Sequence, residues 1–321
     1  MLRFLSACLA AGAVNAAPAQ PISFALIGDA PYNRAESIAF DQMVNDINAD
    51  ADVRFILHAG DIKGSGEPCS DELLTARIAQ LQRFARPLMI TPGDNEWTDC
   101  HRARAGRWLP TERLARLREL MIPNPRTSLG QEKLALESQT DSADFPEFVE
   151  NWRFERDGVI YAALHVVGSQ NGRQPWSGID PQDKAASPRA DRMAEVERRE
   201  AAVAAWVDST FARAHAIDAR AVVLLMQANP QIEKGGRRRA PYNALIEQIE
   251  TRAAQFKRPV LWAHGDEHEY FVDRPLPVAP QLTRVQTFGS PAVHWIEVRI
   301  DPASATVFSL RPHHVRAPGQ D

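Results

Sequence analysis

The sequence predicts an α/β fold in which helices cover both faces of the β-structure. Short apolar runs rich in β-branched and aromatic residues alternate with stretches of helical period, as expected for sheet strands packed between helices. A Gly-Asp pair stands at the end of three of these runs. Beyond Tyr270 the pattern changes to alternating apolar and polar residues, which is typical of antiparallel strands.

Six runs are predicted as strands of the helix-covered sheet: residues 22–27, 53–57, 88–90, 159–167, 221–226 and 260–262. The clearest helix begins near Pro188, where apolar residues recur at helical spacing. Three later runs, 283–288, 293–300 and 306–310, are predicted to form an antiparallel meander. Two stretches without clear period, about 97–150 and 170–187, are predicted as loops that cap a site.

The composition is that of an ordinary globular protein, with 44% hydrophobic and 24% charged residues in 321. It excludes disordered and collagen-like structure. A formal net charge of −4 argues against a nucleic-acid binder that depends on phosphate attraction. We therefore expect a small-molecule partner and a single domain spanning residues 20–321.

Residues 1–19 are predicted to be a cleaved signal peptide. Arg3 supplies the positive start, residues 4–14 form a short apolar run, and small residues follow. The run is far below the ~20 residues that span a bilayer, so no transmembrane anchor is expected. Cys8 lies too close to Met1 to follow the apolar run of a lipoprotein signal, so lipidation is not expected. We expect a periplasmic or secreted protein.

Two cysteines remain after cleavage, Cys69 and Cys100. An even count in a protein bound for an oxidising compartment predicts one disulfide. Two unpaired buried thiols are the alternative.

Ligand-type side chains follow the predicted strands. Because the carboxyl ends of parallel strands share one edge, these side chains should meet there. Crowded carboxylates repel one another unless cations neutralise them, so a metal site is predicted. The side chains concerned are Asp29, Asp61, Asp94, Gln227, Asp266 and His268.

This order of motifs resembles the calcineurin-like metallophosphoesterase family, which includes the purple acid phosphatases. The family pattern runs Asp-x-His, Gly-Asp, Gly-Asn-His-Asp/Glu, a further His, and Gly-His-x-His. The resemblance covers residues 22–270. It implies a four-layer α/β/β/α sandwich that hydrolyses phosphate esters at two metal ions.

The resemblance also implies roles for single residues in the first motifs. Asp29 matches the first metal ligand, and Asp61 matches the carboxylate that bridges both metals. Asp94 stands where the family has a ligand Asn. Asn95 replaces the His that acts as general acid or stabilises the transition state.

The later motifs depart from the family pattern as well. Gln227 stands near the position of a ligand His, with Asn229 as the alternative. In the last motif Asp266 replaces the first His, and His268 retains the second.

Oxygen ligands replace nitrogen ligands at these altered positions. Oxygen sites suit Mn²⁺, Mg²⁺ or Ca²⁺ better than Zn²⁺. We therefore expect one or two such divalent ions per chain, with iron also compatible. The His of Asp-x-His is missing, and Tyr32 or Asn33 is expected to fill its place.

The general acid that would protonate the leaving group is not identified by the motifs, because an amide such as Asn95 cannot supply a proton as His does. His264 and His58 are the candidate replacements, and for each the alternative is a histidine packed at a strand end.

Arginines after the third strand could bind substrate phosphate. Arg102 and Arg104 are the candidates, because guanidinium forms paired bonds to phosphate oxygens. A solvated helix face is the alternative. The arginine run at 237–239 is interpreted as a surface loop.

The sequence therefore predicts an exported metal-dependent phosphoesterase acting on a small phosphorylated substrate, a mono- or diester. The alternative is a protein of the same fold that has lost hydrolysis and acts as a binding module. A serine hydrolase is not supported, because the chain has no G-x-S-x-G motif.

Overall fold

The computed structural model describes residues 21–301, 304 and 306–315, and the predicted signal peptide lies outside them. The strands in these residues are β1 (Ile22–Ile27), β2 (Val53–His58), β3 (Leu88–Ile90), β4 (Glu137–Ser138), β5 (Trp152–Arg156), β6 (Val159–Ala163), β7 (Ala221–Leu225), β8 (Val260–His264), β9 (Phe271–Asp273), β10 (Leu282–Gln286), β11 (Trp295–Ile300) and β12 (Phe308–His313). They form two mixed sheets, ordered β12-β11-β1-β2-β3 and β4-β5-β6-β7-β8-β10-β9.

Helices lie on the outer face of each sheet. Their bounds are α1 (Arg34–Ala49), α2 (Asp71–Leu81), α3 (Pro110–Met121), α4 (Gly168–Asn171), α5 (Ala190–Ala216), α6 (Gly236–Arg239) and α7 (Asn243–Phe256). Capping sets two of the starts, because Asn33 accepts a hydrogen bond from the Glu36 amide and Ser70 accepts one from the Leu73 amide. In the described part of the chain, no helix is long and apolar enough to cross a membrane.

Three apolar clusters separate four layers. In β1, Phe24 and Leu26 face the second sheet, whereas Ala25 and Ile27 pack against α1 and α2. The other face of the second sheet packs on α5 and α7 through side chains such as Phe211. This period-2 alternation gives each strand two apolar faces. The predicted α/β/β/α sandwich is confirmed.

The predicted antiparallel meander is confirmed only between its last two strands. β10 pairs parallel with β8 and antiparallel with β9 in the second sheet. β11 instead pairs with β1, and β12 pairs with β11, in the first sheet. The chain changes sheets after β10, so alternation identified strands but not their neighbours.

The segment 97–150 is more ordered than the predicted cap loop. It contains the 12-residue helix α3, which Pro110 begins and which packs Leu117 and Met121 into the core beside the first sheet. Proline suits the first helical position, because its missing N–H would be unpaired there anyway. Segment 170–187 has no strand and no helix beyond the end of α4.

Candidate functional site

Four aspartates meet at the carboxyl ends of the strands. Asp29 follows β1, Asp61 follows β2, Asp94 follows β3 and Asp266 follows β8, so both sheets contribute. Asp29, Asp61 and Asp94 are at most 6% exposed. Three of the four line a cavity of about 520 Å³, with Asp29 buried beneath it; we call this cavity the carboxylate crevice.

The backbone turns sharply at three of these aspartates. Asp29, Asp61 and Asp266 have φ angles of 53°, 56° and 84°, in the left-handed region. The aspartates themselves thus adopt the left-handed backbone, and Gly60 before Asp61 also has a positive φ of 90°. Such strain costs on the order of 1 kcal/mol or more per residue and is concentrated at functional sites.

Burial makes these carboxylates hard to ionise. It raises the pKa of Asp29, Asp61 and Asp266 well above the ordinary value, and repulsion from neighbouring carboxylates adds to the effect. Among the described residues, no Lys or Arg forms an ion pair with any of the four aspartates of the crevice. The nearest imidazole nitrogen, Nε2 of His268, lies 3.9 Å from Asp29 Oδ1.

Gln227, just beyond β7, connects three of the carboxylates. Its amide nitrogen lies 3.2 Å from Asp61 Oδ2 and 3.4 Å from Asp94 Oδ1. The same nitrogen is 3.3 Å from Asp266 Oδ1. The amide oxygen accepts a 2.6 Å hydrogen bond from the Gly168 N–H, which fixes the orientation of the amide. Gln227 therefore presents donors to the carboxylates.

Tyr32 occupies the other side of Asp61. Its hydroxyl donates to Asp61 Oδ2 at 2.9 Å and accepts from Asn95 Nδ2 at 3.1 Å. Asn95 Nδ2 also donates to Asp61 Oδ2 at 3.0 Å. His268 Nε2 lies 3.2 Å from the same hydroxyl. A second neutral donor thus lies among the predicted ligands.

The turn α4 closes the crevice from the second sheet. Ser169 and Gln170 have φ angles of 49° and 59°, so the turn is left-handed. Ser169 Oγ lies 2.6 Å from Asp94 Oδ2 and 2.9 Å from Asp99 Oδ1. A hydroxyl has one proton and can donate to only one carboxylate at a time. Burial and the charge of Asp94 raise the pKa of Asp99 to about 7.

The predicted disulfide is present between Cys69 and Cys100. It ties the segment after β2 to the short 3₁₀ helix Thr98–His101 after β3. Close by, the buried Lys63 ammonium donates to the Asn95 carbonyl at 2.8 Å. These contacts fix the loops that position Asp61 and Asn95.

The structure separates the candidate arginines. Arg102 lines the crevice and forms a 2.8 Å ion pair with Asp99. Arg104 is exposed and does not line it. Arg238 of α6, from the run interpreted as a surface loop, does line it.

Neither candidate replacement acid lines the crevice. His264 and His58 are fully buried, and burial lowers the pKa of each to about 3. His58 Nδ1 accepts from the Gly60 amide at 3.1 Å, and His264 Nδ1 lies 3.0 Å from the Gly265 carbonyl oxygen. Both rings pack at strand ends, which was the alternative interpretation of each.

The crevice fits a hard divalent cation in the chemistry of its donors, because buried carboxylate oxygens without basic partners are what such ions bind. As the side chains stand in residues 21–301, 304 and 306–315, however, no three His, Cys, Asp or Glu residues are arranged to hold a metal ion. The Gln227 amide and the Tyr32 hydroxyl lie among the carboxylates instead. A bound cation would take over contacts that these two groups now make.

No family model matches the chain, and no curated protein is similar to it. Solved structures are similar in fold. One is a dimetal phosphatase from Danio rerio, with a TM-score of 0.57 and 10% identity over 92% of this chain and 96% of that chain. The chain shares the fold of a dimetal phosphatase. Another match is GAP50, described as the anchor in the inner membrane complex of Plasmodium, with a TM-score of 0.49 and 10% identity over 92% and 89% of the two chains.

Ser169 and Asp99 are among the polar residues of the crevice that sequence reasoning missed. A signal for Ser169 was present, because Gly168 and Ser169 follow the predicted strand 159–167 just as a Gly-Asp pair follows other strands. Asp99 gave no such signal, because the 3₁₀ helix Thr98–His101 brings it into the crevice.

Proposed function

We propose that the chain is an exported, divalent-cation-dependent phosphoesterase acting on a phosphate mono- or diester. The observation that supports it best is the group of four aspartates, Asp29, Asp61, Asp94 and Asp266, gathered at one edge without a Lys or Arg ion-pair partner among the described residues. Like charges buried together favour binding of a cation. The oxygen-rich set favours Mn²⁺, Mg²⁺ or Ca²⁺ over Zn²⁺.

The proposed roles follow from the contacts. Asp61 receives hydrogen bonds from both Tyr32 and Gln227 and would hold the cation once these donors move away. Asp29 and His268 would contribute further ligands. A divalent cation bound there supplies positive charge for the phosphate and acidifies a water molecule. Arg102 at the rim would bind phosphate oxygens.

Protonation of the leaving group limits the substrates. Both amide hydrogens of Asn95 point to partners, Tyr32 and Asp61, and an amide has no proton to give at neutral pH. His264 is buried away from the crevice. The proposed enzyme therefore acts best on esters whose leaving group needs no protonation, such as nitrophenyl phosphates.

Export is part of the same proposal. The N-terminal segment has the pattern of a signal peptide, and the Cys69–Cys100 disulfide is typical of proteins in oxidising compartments. Expression of the full-length chain, followed by recovery from the periplasm of a chain that lacks its first residues, would support export.

Turnover of nitrophenyl phosphate and bis-nitrophenyl phosphate by the mature chain, with and without added Mn²⁺, Mg²⁺, Ca²⁺ or Zn²⁺, tests the activity. We expect cation-dependent turnover that Asp61→Asn lowers by about 100-fold or more. Asp41→Asn, at an exposed aspartate outside the crevice, is the matched control and should leave turnover unchanged.

A second function is favoured by the two neutral donors and by Asn95. In that case Tyr32 and Gln227 keep the carboxylates satisfied without a cation, and the protein binds a ligand without hydrolysing it. No turnover with any cation, together with retained binding of an unreactive phosphonate, would favour this binding module over the enzyme.

A further inference from the structure

A second cavity, of about 540 Å³, lies beside the carboxylate crevice. It is formed between α5 and the start of α7, with the end of β6 and the turn α4 at its inner side. Its apolar lining is contributed by Val166, Val203, Ala204, Tyr242 and Leu245. We call it the apolar cavity.

The apolar cavity and the carboxylate crevice share a wall. Gln170 and Tyr242 line both. The Tyr242 hydroxyl donates to the Val167 carbonyl at 3.1 Å and accepts from the Asn171 amide at 3.0 Å, which fixes the ring in that wall. One residue layer therefore separates the apolar cavity from the carboxylate crevice.

The short helix α6 flanks both spaces. Arg237 lines the apolar cavity, and the next residue, Arg238, lines the crevice. The two openings are thus neighbours on one side of the molecule.

Several of the polar groups that line the apolar cavity already have protein partners. Arg173 forms a 2.7 Å ion pair with Glu200. Gln248 donates to Asp208 at 2.6 Å and to the Ala204 carbonyl at 2.9 Å. A nucleobase would need free donors and acceptors for recognition, whereas an apolar group leaves these bonds intact.

We propose that the apolar cavity binds the organic group of the substrate, and that the substrate class is a phosphate ester of an apolar alkyl or aryl alcohol. The assignment of the phosphate to the carboxylate crevice rests on the proposed function. The assignment of the organic group to the apolar cavity rests on the lining and the shared wall, and it holds equally for an enzyme and for a binding module.

Unreactive phosphonates test the inference without turnover. We expect the mature chain with Mn²⁺ to bind hexylphosphonate at least about tenfold more tightly than methylphosphonate, since each fully buried methylene contributes about fourfold in Kd. Ala204→Trp, which fills the cavity from α5, should abolish that difference and leave methylphosphonate binding unchanged. Ala205→Trp, the exposed neighbour, is the matched control and should keep the difference.

Equal affinity for the two phosphonates, a difference that persists in folded Ala204→Trp, or tighter binding of adenosine monophosphate than of hexylphosphonate would overturn the inference. If neither phosphonate binds with any cation, the proposed function fails instead, and calorimetry with 1-naphthol then tests the cavity alone. Binding of 1-naphthol to the wild-type chain but not to Ala204→Trp would support the cavity, and no binding to the wild-type chain would overturn it.

Discussion

Glycines of the crevice motifs are required because a carboxylate of another motif lies where their Cβ would be. A Cβ on Gly93 would overlap the Asp61 carboxylate, and one on Gly265 would overlap that of Asp29. The sequence could predict that Gly-Asp pairs end the strands. It could not predict this interlocking, because each overlap joins residues far apart in the chain.

The variant Gln227→Glu tests whether the Gln227 amide occupies a position where a cation binds. The change is nearly isosteric, but it replaces an N–H donor to three carboxylates with a fourth carboxylate. Without added cations we expect a Tm several degrees below that of the wild-type chain, because the like charges then lack a donor. With Mn²⁺ we expect a larger rise in Tm than in the wild-type chain.

Differential scanning calorimetry with chelator and with Mn²⁺ measures both effects. Gln82→Glu, at the C-terminal end of α2 and outside the crevice, should show neither. If Mn²⁺ raises the Tm of Gln227→Glu no more than that of the wild-type chain, the amide is not placed at a cation position.

His165 is a buried group whose effect on stability depends on pH. Neither ring nitrogen has a hydrogen-bond partner, and Nδ1 lies 3.7 Å from the buried Glu150. Burial and then the charge of Arg199 lower the pKa of His165 well below its ordinary value. The folded state therefore keeps the ring neutral, whereas the unfolded chain protonates it below about pH 6.5, so stability is lost as the pH falls through that value.

His165→Phe removes this penalty. Between about pH 7.5 and about pH 5, we expect the free energy of unfolding of the wild-type chain to fall by about 2 kcal/mol more than that of the variant. Urea unfolding at both pH values measures it. Val166→Ala, at a neighbouring side chain that does not titrate, should shift both values equally, and parallel curves for His165→Phe would refute the expectation.

At the scale of elements, periodicity located strands better than it located their partners. β1, β2 and β3 lie where the apolar runs predicted them. The period-2 pattern states only which side chains share a face, so it could not show that β10 joins β8 while β11 joins β1. The sequence pattern did not predict α3, because its apolar stripe is short and surrounded by arginines. The helix signal of Pro110 at its first position did not enter the prediction.

The Cys69–Cys100 disulfide should contribute to stability at this scale. It closes a loop with a sequence separation of 31 and so restricts the unfolded chain. Replacing both cysteines by alanine is expected to lower the free energy of unfolding by about 3–4 kcal/mol. Urea unfolding of the oxidised wild-type chain and of the double variant measures this. A loss that persists against the reduced wild-type chain would show that packing, not the cross-link, is responsible.

At the scale of the whole molecule, two sheets bring their strand ends to one edge, and the carboxylates meet there. The family resemblance implied this two-sheet architecture, whereas the apolar runs and Gly-Asp pairs alone predicted only that strand ends with ligand-type side chains meet at one edge. The substrate-facing walls were not predictable in the same way. Gln170, Arg238 and Tyr242 come from α4, α6 and the segment before α7, respectively, and only the folded chain places them around one site.

Equilibrium binding of Mn²⁺ to the chelator-treated mature chain, measured by calorimetry, tests the central claim most directly. A cation-dependent crevice predicts saturable binding that Asp61→Asn abolishes and the surface variant Asp41→Asn leaves unchanged. Absence of binding to the folded wild-type chain, for Mn²⁺ and equally for Mg²⁺ and Ca²⁺, would contradict the claim and leave the Tyr32 and Gln227 donors as the permanent partners of Asp61, Asp94 and Asp266.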